Sequence, residues 1–234
     1  MHKLAYVLSD SLFFGMAISL IAYGIGMVVN KKVKLAIANP MLVSVLIIIA
    51  FLKLTGLNYS QYMNSAKYLS YLLTPATICL AVPLYEKLQL LKENLVAIIL
   101  GILSGIIANV LCIWLVCIIF TLDNTMFATM LPKSITTAIG MAVSEEIGGV
   151  VNITIALIVV TGITGFVVAD AIFKIFKITD PVAKGVAIGN ASHVLGTSKA
   201  VSMGETEGAM SGLAVAVAGI LTVITAPLVL SMFE

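Results

Sequence analysis

The 234-residue chain contains no arginine; all thirteen of its basic residues are lysines. No planar guanidinium fork can clamp an acid, so any anion must be held by lysine, histidine, hydroxyls or helix N-termini. Charge of either sign is scarce. Charged residues make up 10% of the chain against 61% hydrophobic, where a soluble domain carries about 25% charged. Together with a mean hydropathy of +1.15, this describes an integral membrane protein. The net charge is only +2 and the lysines are scattered, which excludes the basic stripe of a nucleic-acid binder. The histidines are His2 and His193, and Cys79, Cys112 and Cys117 lie in apolar runs. That set is too dispersed for a metal site, and Cys112 and Cys117 sit too near each other on one helix to form a disulfide. No metal or cofactor is expected. No charged leader with a cleavage site precedes the first apolar run, so that run is expected to stay as a span.

What is present is a succession of apolar segments, which predicts an all-α, polytopic transmembrane helical bundle. Spans are expected over Leu4–Val29, Pro40–Leu54, Leu95–Phe120, Val150–Phe173 and Met210–Met232. Tyr59–Lys67 is polar and tyrosine-rich, as interfacial stretches are, and Tyr68–Leu84 is expected to be broken by Pro75 and Pro83. Lys31, Lys32 and Lys34 place the first loop in the cytoplasm, and Thr121–Leu131, with Asp123 and no lysine, reads as an outside loop. If Lys133–Ser144 crossed the membrane, Lys174, Lys177 and Lys184 would fall outside. A re-entrant dip over Lys133–Gly149 keeps them inside. Val182–Met203 has the same mixed character and reads as a second dip or a broken span. A faint echo at an offset of sixty-one (Ala81-Val82 with Ala142-Val143, Gly101 with Gly162, Asn109 with Asp170) is the pattern expected of inverted repeats.

Two polar, glycine-rich stretches interrupt the apolar sequence. Pro132-Lys133-Ser134-Ile135-Thr136-Thr137 runs on to Glu145-Glu146-Ile147-Gly148-Gly149, and Gly189-Asn190-Ala191-Ser192-His193 runs on to Gly196-Thr197-Ser198-Lys199. Such stretches survive at membrane depth only where protein buries them or they line a wet cavity. In the first, Pro132 suits a helix start, and Lys133, Ser134, Thr136 and Thr137 would gather cation, hydroxyls and free amides at its positive end. A capped helix with an interfacial lysine accounts for the same residues. Glu145 and Glu146 read either as exposed turn carboxylates or as intramembrane proton acceptors. In the second, Asn190, Ser192, His193, Thr197 and Lys199 are the candidates. Ser192 and Lys199 would share a face if the helix were continuous. An unperturbed histidine changes charge near neutral pH, so His193 is a candidate proton coupler, or else a packed side chain. Ser192 beside His193 has no orienting acid, and no catalytic set is recognisable.

These motifs carry a resemblance. Pro132–Thr137, Ile147–Gly149, Thr161-Gly162-Ile163-Thr164-Gly165, Ala191–Ala200 and Gly204–Ala209 resemble the LrgB/CidB family of bacterial membrane proteins over nearly the whole chain. The resemblance implies one LrgB-like domain over 1–234, with a first half 1–125 and a second half 126–234 carrying the polar motifs. It also implies two functional stories in a bacterial cell membrane. One is antiholin-like restraint of murein hydrolase export and autolysis with a small LrgA-like membrane partner. The other is passage of small carboxylates, such as pyruvate in bacteria or glycolate and glycerate in a homologous plastid envelope domain. Embedded polar motifs favour the second, with Lys133 or Lys199 supplying charge and His193, Glu145 or Glu146 a proton. The expected partners are the carboxylate, lipid and a second copy of the chain.

Overall fold

A computed structural model of the protein describes residues 11–33, 40–72, 75 and 85–232. Every regular element among them is helical. The first residues of the span expected from Leu4, together with His2, Lys34, Cys79, Ala81-Val82 and Pro83, lie outside the described residues. The chain divides into two units, Met1–Cys79 and Leu80–Glu234.

The first unit contains α1 (Phe14–Val33), α2 (Pro40–Thr55), α3 (Tyr59–Ala66) and a 3-10 turn, Lys67–Leu72. The tyrosine-rich stretch expected at the interface is thus largely α3. It is tied to α1 by hydroxyls: Gly15 N donates to Ser65 Oγ at 2.7 Å, and the Ser19 and Tyr62 hydroxyls meet at 2.7 Å.

The second unit holds α4 (Leu88–Glu93), α5 (Leu95–Ile119), α6 (Asn124–Met130), a 3-10 turn (Leu131–Ser134), α7 (Thr137–Glu146), α8 (Val151–Ile175), α9 (Pro181–Met203) and α10 (Glu205–Leu230). With α1, the helices α5, α8 and α10 are long and apolar enough to cross a membrane. Leu100, Ile107, Val160 and Ile220 on these three are each more than half exposed, as lipid-facing side chains should be.

Between the spans lie two helical hairpins. Hairpin 1 enters through α6 and its 3-10 turn and returns through α7. It therefore begins at Asn124, and most of the expected outside loop Thr121–Leu131 is its entering arm. Its base is knotted to the start of α8. Thr154 Oγ1 donates to Thr129 O at 2.8 Å and meets Ser144 Oγ at 2.7 Å, while Val150 N donates to Thr129 Oγ1 at 2.8 Å.

Hairpin 2 is α9 itself. A straight helix of 23 residues would be about 35 Å long, yet Lys184 near its start and Met203 at its end line the same cleft. The fold-back is at His193, whose φ of 43° and ψ of −136° are not helical. The span-or-dip ambiguity resolves as a dip, and the shared face expected for Ser192 and Lys199 is lost at the break. This hairpin packs on the other end of α8, where Ala169 and Phe173 cluster with Ile188 and Ala200.

The hairpins thus approach the middle of α8 from opposite ends. Parallel spans α5 and α10 flank both. Ile98 and Ile102 cluster with Val186 and Met210 beside hairpin 2, and Ile113 and Cys117 with Leu131, Val143 and Ala226 beside hairpin 1.

The repetition is visible in the backbone. Thr121 and Lys177, just past α5 and α8, both take positive φ (50° and 53°). This lets Leu122 N reach Cys117 O and Ile178 N reach Phe173 O, each at 2.9 Å, the left-handed stop common at helix ends. Asp123 and Asp180 then cap the entering arms, accepting from Met126 N at 2.9 Å and Ala183 N at 2.8 Å. These pairs stand 56 (177 − 121) and 57 (180 − 123) positions apart. The offset of sixty-one expected from the sequence is therefore not the structural register.

Candidate functional site

Helix breaks at membrane depth need partners for freed backbone groups, and here the two breaks converge. A crevice between the hairpin tips is lined by Ser134 and Ile135 of hairpin 1, Asn190 of hairpin 2, Gly105 and Asn109 of α5, and Thr222 of α10. Its open core is about 10 Å³, room for about one water.

On the hairpin 1 side, Lys133 Nζ donates to Asn109 Oδ1 at 2.5 Å and Ser134 Oγ donates to the same oxygen at 3.3 Å. Asn109 Nδ2 donates in turn to Leu131 O at 3.2 Å. One amide thus holds a lysine, a hydroxyl and the carbonyl of a helical turn. Beyond Ser134, Thr136 is the N-cap of α7 without a side-chain capping bond, and Thr137 is the first helical residue; both are half-buried. Pro132 sits in the 3-10 turn before them rather than at the start of α7.

On the hairpin 2 side, Asn190 Nδ2 donates to Ile102 O at 3.1 Å, with the Cα of Gly105 so close that a methyl group there would overlap the amide. The His193 ring lies 2.9 Å from Ile158 O through Nε2. A carbonyl only accepts, so Nε2 carries the proton and Nδ1 is left to gain or lose one. Thr197 Oγ1 donates back to His193 O at 3.1 Å and meets Ser211 Oγ of α10 at 2.9 Å. Ser192 is 1% exposed and its hydroxyl has no hydrogen-bond partner among the described residues. It points into the notch left by Gly165 on α8, one turn beyond Gly162, which faces the His193 ring.

The crevice itself is lined by Ser134 and Asn190 from the expected set. Lys133 joins it through Asn109, and Thr136, Thr137, Ser192 and His193 form the two turns above and below it. Thr197 lies one turn down the returning arm. Lys199 is not part of this group: it pairs with Asp170 at 2.5 Å near the base of hairpin 2. Glu145 and Glu146 are exposed at the far end of α7, at the base of hairpin 1. Sequence reasoning does not place Asn109, Gly105 and Thr222 at the site. A lone asparagine midway along an otherwise apolar 25-residue helix is the signal that could have found the first, because an amide there needs an interior partner.

Comparison with known proteins supports the resemblance carried by the motifs. The LrgB-like family model matches residues 19–232. The antiholin-like protein LrgB of Bacillus subtilis (strain 168) is 36% identical over 216 residues, covering 92% of this chain and 94% of that protein. This chain belongs to the LrgB-like family. The LrgB of Bacillus mycoides (strain KBAB4), also named antiholin-like, is 36% identical over 217 residues, again 92% and 94% of the two chains. No solved structure matches. The LrgB-like chain is a membrane protein, and its paired hairpins lie within the region the family model covers.

Proposed function

We propose that this LrgB-like protein carries a small monocarboxylate, of the size of pyruvate, glycolate or glycerate, through the bacterial cell membrane as a multi-pass transporter. The observation that carries this reading is the meeting of two polar turns, 57 residues apart (193 − 136), from opposite ends of α8. Discontinuous helices meeting between repeated halves are where secondary transporters hold their solutes. The returning arms begin at the tips, so their N-terminal amides favour a carboxylate, and Lys133 adds the full charge. Ser134, Thr136, Thr137, Asn190 and the freed Ser192 hydroxyl supply hydrogen bonds. His193 is the first candidate for a coupled proton, since Nδ1 can take one without breaking the bond to Ile158; Glu145 and Glu146 are second. The crevice admits about one water, so a carboxylate enters only as the tips part.

Uptake of labelled pyruvate, lactate or glycolate into proteoliposomes tests this. Uptake above empty liposomes, lowered at least tenfold by Lys133→Met and left within twofold by Lys199→Ala, is the expected result. Uptake untouched by Lys133→Met and His193→Ala would refute the site.

The relatives are named antiholin-like, which speaks for a second reading: we propose as the alternative that the protein restrains murein hydrolase export and autolysis with an LrgA-like partner. The names lend no support to transport, which rests on geometry alone. Deletion that alters autolysis without altering carboxylate flux would favour the second reading.

A further inference from the structure

A cleft of about 470 Å³ opens at the base of hairpin 2, at the opposite end of that hairpin from the tip crevice. Three lysines line it, Lys174 from the last turn of α8, Lys177 from the turn after it and Lys184 from the entering arm, together with Thr179. Its apolar floor includes Phe173 and Met203. The volume lies in the range of small-molecule sites.

The cleft has an excess of positive charge that the protein does not neutralise. Asp170 also lines it but is held by Lys199 at 2.5 Å. Asp180 beside it caps Ala183 N at 2.8 Å; its charge offsets one of the three lysines and leaves an excess. Among the described residues the ion pairs are Lys87–Glu205 and Lys199–Asp170, and neither includes the three cleft lysines. The three lysines come from a helix end, a turn and a second helix, and all line the one cleft. Lysine suits a phosphate as a point charge, and the chain has no arginine to take that task.

We infer that this cleft binds a phosphate-bearing anion. The same lysines set the cytoplasmic side by charge asymmetry, so the cleft opens at the level of the inner-leaflet headgroups. There an acidic phospholipid can set its phosphate among the lysines and its glycerol and first methylenes on Phe173 and Met203. Basic pockets at that level are the usual seats of such headgroups. The site is independent of any solute at the hairpin tips.

The test uses the full-length protein in detergent, titrated with phosphatidylglycerol or phosphatidylcholine and read by native mass spectrometry, with inorganic phosphate titrated separately by thermal shift. Phosphatidylglycerol is expected to stay bound where phosphatidylcholine does not, and K174Q/K177Q/K184Q to weaken it at least tenfold. K31Q/K32Q, on α1, should leave it unchanged. A phosphate-induced shift lost in the triple variant, without phosphatidylglycerol retention, also supports the site and assigns it to free phosphate. Binding that ignores the triple substitution, or no binding of either probe, overturns the inference. K184Q alone, expected to weaken binding about threefold, and the loss of binding with added salt serve if the triple variant does not fold.

Discussion

The two hairpin tips occupy equivalent places and are finished differently. Hairpin 1 turns through Leu131–Ser134 and an extended Ile135 and Thr136, with ordinary backbone angles, and its polar atoms are knitted to Asn109. Hairpin 2 turns on a single residue. His193 holds a positive φ that L side chains rarely adopt, and the neighbouring Ser192 hydroxyl is buried without a partner among the described residues. Strained φ costs about 1–3 kcal/mol and an unmet buried hydroxyl about 1–3 kcal/mol. One tip is satisfied as it stands, while the other holds a deficit that a bound solute or a shifted hairpin could relieve. Strain of this kind gathers at sites that bind or move.

The contrast should show most in packing. An added methyl on Gly189 would meet the Ser211 backbone within 3 Å at three atoms, whereas on Gly140 the closest atom is the movable end of Ile158. Gly189→Ala should therefore cost about 3 kcal/mol and Gly140→Ala about 1 kcal/mol, compared by thermal unfolding in detergent. Equal losses would break the distinction. Next comes the strained residue itself. In a helix interior glycine is about 0.5–1 kcal/mol worse than alanine, but His193→Gly and His193→Ala both lose the ring and only glycine accepts the φ. The usual order should invert, with the glycine variant about 1 kcal/mol more stable. Smaller still is Ser192→Ala, which removes an unpartnered oxygen. Stability should hold or rise by up to about 1 kcal/mol while solute uptake falls, and a clear loss of stability would mean the hydroxyl is satisfied. The least effect belongs to Asp170→Asn. Its partner Lys199 makes a surface ion pair, with Asp170 61% exposed, and a change under about 1 kcal/mol is expected.

Much of this was readable from lysines and breaks. Lys174, Lys177 and Lys184 forced the first polar stretch to turn back, and hairpin 1 does so. The run from Gly189 to Lys199 announced a discontinuity, and it breaks at His193. What escaped did so for physical reasons. Gly105 and Asn109 on α5 and Thr222 on α10 lie in long apolar helices, where tertiary contact reveals their role. Lys199 lies near His193 in sequence, but the returning arm carries it toward the hairpin base and Asp170. The repeat escaped at its true offset because its evidence is conformational. Thr121 and Lys177 share a backbone angle and no chemistry, whereas Asp123 and Asp180 share an identity as well as a role.

One connection sets how hairpin 2 can travel. A lone residue, Gly204, joins Met203 to Glu205, so those two Cα atoms can never stand more than roughly 7 Å apart. The returning arm is leashed at its root to α10 and cannot swing away from it there. Whatever displacement this half of the molecule undergoes must be a flexing at its far tip, or a stroke in which arm and span slide as one piston.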